Sequence, residues 1–161
     1  MASPIYVWLN EDAGNSIKGG STVQGREHSV EAIAVDHEVY MPTDKNTGGL
    51  TGVRIHSALS YVAPIDASVP ILMDACSHGK TLQQAKFSFY RINEQGSEAE
   101  YYHIALQNAR VSSVKTFVDD IKEAHNERKQ HRVAVSLRYE KISWYFHEGN
   151  IQTSDEWNKR V

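Results

Sequence analysis

With 161 residues, 40% of them hydrophobic and 23% charged, the chain has an ordinary globular composition and enough length for a sizeable core. Its net charge of -3 argues against broad electrostatic attraction to nucleic acid or to an anionic membrane surface. A single cysteine, Cys76, rules out an intrachain disulfide and a disulfide-stapled secreted scaffold, and it fits folding in a reducing compartment.

The N-terminus, MASPIYVWLNEDAG, lacks the basic region and apolar run of a signal peptide. No stretch approaches the ~20 apolar residues of a membrane-spanning helix. Ile5, Val7 and Leu9 alternate with Tyr6, Trp8 and Asn10, the period of a strand. Asn10 to Gly25 is rich in Gly, Asn and Ser and reads as loop, with room for a short pairing around Ile17 and Lys18. Val30 to Tyr40 is apolar on both faces, which predicts one strand with protein on both sides, core on one and a subunit contact on the other. Met41 to Thr51, MPTDKNTGGLT, is a loop by composition and longer than a tight turn needs. Val53 and Ile55 open a further strand toward Tyr61.

Asp66 to Gly79 carries the helix signals. Ser68 is placed as an N-cap and Pro70 sits in the first turn. Ile71, Leu72, Ala75 and Cys76 form an apolar stripe, and Gly79 fits the residue just past the end. Leu82 to Val114 predicts two long antiparallel strands, with Ala85, Phe87 and Phe89 facing inward on the first and Tyr102, Ile104 and Leu106 on the second. The reversal is made by Asn93, Glu94, Gln95, Gly96 and Ser97. Lys115 to Gln130 allows a short helix near Val118 and Ile121 or an exposed excursion. Val133, Val135, Leu137 and Tyr139 then alternate. The apolar parity shifts at Ile142, Trp144 and Phe146, which predicts a bulge near Glu140 and Lys141 or a second strand after a bend. The tail from Ile151 holds Trp157 in a polar setting without a strong pattern. About eight strands and one helix make a β-barrel or sandwich with a helix on its flank.

Motifs for chemistry are absent. Gly79-Lys80-Thr81 resembles the end of a phosphate loop, but Asp74 stands where that loop needs glycine and the helix precedes the motif. The eight histidines are widely spaced (His28, His37, His56, His78 and His103 among them), and only His125 and His131 are near neighbours, so no metal and no cofactor is expected. Cys76 lies on the apolar helix face, where a free thiol is inert. The residues by themselves describe a β domain, not an enzyme, with surplus interface character.

Ile65-Asp66-x-Ser68-x-Pro70-x-Leu72, then Ala75-Cys76-Ser77-x-Gly79-Lys80, Gln84-Ala85-Lys86, Glu100-Tyr101 and Val111-Ser112-Ser113-Val114, resemble the haemolysin-coregulated protein (Hcp) family, the tube subunit of bacterial type VI secretion. The likeness extends to Ile5-Tyr6, Ile17-Lys18-Gly19, Asp36-His37, the PTDKNTGGLTG loop, Tyr139-Glu140-Lys141-Ile142 and the tail from Asn150 to Trp157. Loop and tail resemble the enterobacterial branch.

The resemblance implies a mainly β fold over residues 1–161 as a single domain with no fused effector domain. That fold is a partly open β-barrel of about eight antiparallel strands with one flanking α-helix near residues 68–78. It further implies a homo-hexameric ring, stacked into a tube, capped by a trimeric spike and driven by a contractile sheath. Effector proteins ride in the lumen, and the subunit passes from cytoplasm to exterior without a signal peptide. Pro42, Thr43, Asp44, Lys45, Asn46, Thr47, Gly48 and Gly49 correspond to the ring-stacking loop. Asp36 and Glu38 correspond to lumen positions, and Tyr90, Tyr101 and His103 are candidates for the subunit interface. The contrasting reading is a small ligand-binding β-barrel, or a hydrolase on such a barrel, with Tyr101, Tyr102 and His103 near its site.

Overall fold

A computed structural model of the chain describes residues 3–158. The strands are β1 (Ile5–Glu11), β2 (Ser16–Ile17), β3 (Val30–Ala32), β4 (Ala34–Asp36), β5 (Val39–Tyr40), β6 (Ile55–His56) and β7 (Leu59–Pro64). The helix α1 (Ser68–His78) follows, then β8 (Thr81–Ile92), β9 (Glu98–Phe117), β10 (Arg132–Arg138), β11 (Lys141–Phe146) and β12 (Ile151–Glu156). All pairings are antiparallel. The main sheet runs β2-β1-β8-β9-β10-β7-β4, with β3 added to β1, β11 to β9, and β12 to β11. The fold is mainly β with one helix, and its curled sheet is not closed by a continuous ladder.

The long hairpin matches its alternation pattern. Ala85 and Phe87 on β8, and Ile104 and Leu106 on β9, are fully or nearly buried, with Phe89 and Tyr102 packed beside them. Its reversal is held by the Asn93 side chain, which accepts from the backbone N–H groups of Gln95 and Ser97, both at 3.0 Å. β9 is bonded along both edges, to β8 on one side and to β10 and then β11 on the other.

Three expectations are corrected. Val30–Tyr40 is not one strand: β3 pairs with β1, β4 pairs with β7, and β5 leaves to pair with β6 in a separate ribbon. Its two-sided apolar pattern arises because the segment changes partner, with Val30 and Ala32 buried and Ile33 52% exposed. The strand begun at Ile55 is likewise split, β6 belonging to the ribbon and β7 to the main sheet. The parity shift after Tyr139 takes the second of its two expected forms, a further strand β11 after a bend, whereas the tail that lacked pattern forms β12 against β11.

At the helix start, Asp66 rather than Ser68 supplies the acceptor. Its carboxylate takes the Ser68 N–H at 2.9 Å, the Ser68 hydroxyl, and the Gly20 N–H at 3.0 Å. Ser68 is already inside the helix, where its own hydroxyl donates. Ile71 points to solvent, and Val69, Leu72 and Ala75 form the buried face. Gly79 ends the helix at φ 63, a left-handed conformation that disfavours any residue with a Cβ. Residues beyond Phe117 make an exposed excursion with a single 3₁₀ turn at Ala124–Asn126, leaving Val118 and Ile121 exposed.

Tyr61 sits in the centre of this core, edge-on to Phe87 with ring centroids 5.6 Å apart. Its hydroxyl is buried and makes no hydrogen bond among the described residues, and burial pushes its pKa up. Removing an unpaired buried hydroxyl while keeping the ring should stabilise the fold. Tyr61→Phe is expected to raise unfolding free energy by about 1 kcal/mol, read as a higher urea midpoint with unchanged slope. A lower midpoint would mean that the hydroxyl has a partner in solution.

Candidate functional site

The Met41–Thr51 loop folds back on itself as a finger continuing the β5–β6 ribbon. Thr51 N–H donates to the Pro42 carbonyl at 2.9 Å, and Thr43 bridges to Leu50. Asp44 N–H donates to Gly49 O at 2.7 Å, and Gly48 N–H returns a bond to Asp44 O at 2.8 Å. The Asp44 carboxylate accepts from Asn46 N–H and the Thr47 hydroxyl oxygen from Gly49 N–H, so Lys45 and Asn46 are carried at the tip. Gly48 at φ 72 makes the turn possible. The ribbon exposes Val39, Tyr40, Met41, Leu50, Val53 and Ile55, with Leu50 67% accessible. Exposed apolar side chains gathered on one ribbon form the kind of patch that marks protein–protein contacts.

Asp36 ends β4 and is exposed. Glu38 is exposed as well, its backbone fixed by Ser57, whose hydroxyl accepts the Glu38 N–H at 2.8 Å. The interface candidates are already engaged within the chain. Tyr90 lies edge-on to Tyr6 and beneath the Arg26 guanidinium, which is 4.0 Å from its ring centre and paired with Glu98. Tyr101 carries the Arg91 guanidinium at 4.4 Å. His103 stacks on Tyr145 at 5.1 Å. All three remain half-buried, with surface to offer.

What sequence reasoning missed is a largely buried network joining four separate segments of the chain. His37 Nε2 lies 2.8 Å from the Tyr139 hydroxyl, and His56 Nδ1 lies 2.7 Å from it on the other side. His56 Nε2 lies 2.7 Å from Asp155 Oδ2. Arg54 grips the same carboxylate through Nε at 2.6 Å and Nη2 at 3.0 Å, and Nη2 also donates to the Glu156 carbonyl. Trp157 closes the group against the His56 and Tyr139 rings. One donor assignment satisfies every member: His37 Nε2–H donates to Tyr139, Tyr139 donates to His56 Nδ1, and His56 Nε2–H donates to Asp155. Burial, reinforced by the neighbouring His56, lowers the His37 pKa and favours its neutral form.

A hydroxyl, an imidazole and a carboxylate in line resemble an acyl-transfer triad, yet the hydroxyl here is a buried tyrosine with a raised pKa, its proton held by His56. The adjoining cleft of ≈ 460 Å³ is lined by Arg138 and Glu140, which are bonded to His56 O and to Asn108. The arrangement is a clamp on the C-terminal strand. Tyr139 and Trp157 were visible as aromatics, but nothing in their spacing links them to His37 or Arg54.

Comparison with known proteins gives a consistent result. The chain matches the family described as "Type VI secretion system effector, Hcp" over residues 6–146. It is 26% identical over 170 positions to the major exported protein of Pseudomonas aeruginosa PAO1, covering 100% of this chain and 99% of that protein. A solved structure of a variant of the Hcp1 protein from the E. coli EAEC 042 pathovar shares 44% identity with a TM-score of 0.86, covering 97% of this chain and 99% of that one. A crystal structure of an Hcp protein, 23% identical, has a TM-score of 0.90 over 99% of this chain and 100% of that one, and speaks to fold alone.

The clamp makes its own prediction. Arg54, and then His56, hold the Asp155 carboxyl below the usual carboxylate range. A lowered native pKa means that the unfolded chain binds more protons in acid. The contribution is therefore complete above about pH 4 and is lost as pH falls through the native value. Asp155→Ala is expected to cost about 1.5–3 kcal/mol near neutral pH. In urea unfolding the gap between wild type and variant should narrow progressively as pH falls below about 4. Parallel pH profiles for the two proteins would remove Asp155 from the clamp.

Proposed function

Because the chain belongs to the Hcp family and is a subunit of the type VI secretion tube, we propose that it closes into six-membered rings that stack and carry effector proteins in their lumen. The observation that carries this reading is the 44% identity with the Hcp1 protein across 97% of the chain. Closing a ring needs two different surfaces on each subunit, one meeting the other on the next copy. Tyr90, Tyr101 and His103 belong to one such surface in this account. The finger from Pro42 to Gly49 reaches the adjacent ring, and its apolar base at Tyr40, Met41 and Leu50 is the part that gains most from being covered. Asp36 and Glu38 face the lumen. The trimeric spike caps the stack and the contractile sheath surrounds it.

The subunit serves by assembly, with no catalytic step, and the buried clamp around Asp155 fits that role because every member is committed to holding the fold. It is made in the cytoplasm and exported from the cell. The finger's internal hydrogen bonds support a stacking role in a second way: a preformed element loses little conformational freedom on docking.

Native mass measurement of the purified protein tests the ring, with an assembly about six times 18.1 kDa expected. A strict monomer at micromolar concentration would overturn it. Deleting Asp44 to Gly49 is expected to leave fold and ring mass unchanged and to abolish export into the medium. Normal export of that variant would take the finger out of the account.

A further inference from the structure

The pairing of β9 with β8 contains one extra residue. Phe89 faces Tyr102 and Tyr90 faces Glu100, so Tyr101 is left over as a bulge. Residues three apart on a regular strand point to opposite faces, and the bulge brings Glu100 and His103 onto one. On the other edge of β9, β11 places Tyr145 opposite His103. His147, two residues on, returns to the same face, its backbone N–H fixed by the Tyr101 carbonyl at 3.0 Å. The sequence separation of His103 and His147 hid this meeting, which strand pairing alone creates.

Three donor groups converge there. His103 Nδ1 is 3.3 Å from Glu100 Oε1, and His147 Nε2 is 3.5 Å from Glu100 Oε2. One such atom from each residue lies within 4.8 Å of the other two. These are contacts without hydrogen-bond geometry: Glu100 Oε1 and His103 Nδ1 are both shielded from solvent and make no hydrogen bond among the described residues. Leaving two such atoms face to face is costly unless something sits between or beside them. Tetrahedral bonds of about 2.0–2.2 Å to one ion place donor atoms about 3.3–3.6 Å apart, the range of the two contacts that Glu100 makes with His103 and His147.

We propose that Glu100, His103 and His147 form a zinc site on the face of the sheet turned away from the core. Two imidazoles and a carboxylate are a zinc ligand set that hard, oxygen-seeking magnesium does not favour. Tyr145, stacked on His103 and edge-on to His147 at 4.8 Å, holds the two rings in place. Lys86, whose Nζ is 3.6 Å from Glu100 Oε1, is the cation that competes for the same carboxylate. All three ligands come from one chain, and His103 is shared with the surface proposed above for the subunit contact.

Calorimetric titration of the metal-free full-length protein with zinc chloride, in whatever oligomeric state it adopts, tests the proposal. One zinc per chain is expected, with a higher thermal midpoint on binding and no response to magnesium chloride. His147→Ala, at a position whose side chain is 39% exposed, should keep the fold and weaken zinc binding by about tenfold or more. His103→Ala should do the same, and Lys86→Gln should tighten binding. Failure of the wild-type protein to bind zinc stoichiometrically would overturn the site, as would equal affinity in wild type and His147→Ala.

Discussion

β9 has 20 residues, about 65 Å of extended chain at roughly 3.3 Å per residue. A domain of this length has a radius of gyration of about 15 Å. A strand so long cannot stay straight and keep one face in a single core, so it must crease, and the neighbours bonded to it must crease with it. Its irregularities sit at Tyr101, Asn108 and Ser112. Asn108 takes a positive φ of 51, and Asn108 Nδ2 donates to Glu140 across the fold line. On β8 the buried positions skip from Leu82 to Ala85, on β9 from Ala109 to Leu106, and along β10 and β11 from Tyr139 to Ile142. Gln83, Asn108 and Glu140 therefore mark a common line along which inward and outward faces exchange. The pairing with β8 keeps one register across that line, from Leu82 with Ala109 to Gln84 with Gln107.

That crease explains how much of the fold the sequence made legible. The hairpin was visible because Ala85, Phe87 and Phe89, and Tyr102, Ile104 and Leu106, lie wholly on one side of the line, where period-two alternation is unbroken. The shift between Tyr139 and Ile142 was visible for the opposite reason: it crosses the line. Val30 to Asp36 was legible as β but not in its arrangement. Alternation records burial, and a segment that passes from β1 to β7 is buried by different neighbours in its two halves. β12 escaped because Ile151 to Ser154 are exposed, so its pairing with β11 leaves no hydrophobic trace.

The candidate sites divide the same way. The finger was legible as a loop because Pro42, Asp44, Asn46, Gly48 and Gly49 supply turn chemistry locally. Its closure between Thr43 and Leu50 is a consequence of that local chemistry. The Arg54–Asp155 clamp and the Glu100–His103–His147 group were not legible, since each depends on strands whose pairing is set far away in the chain. Histidine spacing could point to a ligand set only where the ligands share one element, as on a helix turn. Here β9 and β11 bring together residues 44 positions apart.

The two polar clusters differ in a way that bears on their roles. Around Asp155 the donors and acceptors balance: Arg54, His56, Tyr139 and His37 each find a partner, and the group closes on itself. Such a network resists the loss of any member and favours a single arrangement of the strands it joins. Around Glu100 the count does not close, because a carboxylate oxygen and an imidazole nitrogen face each other without a hydrogen bond while Lys86 stands at the rim. Both clusters come from the same architecture, in which a creased central strand gathers edges from distant parts of the chain. The balanced one holds the subunit together. The unbalanced one lies on the face turned away from the core, where a further group can complete it.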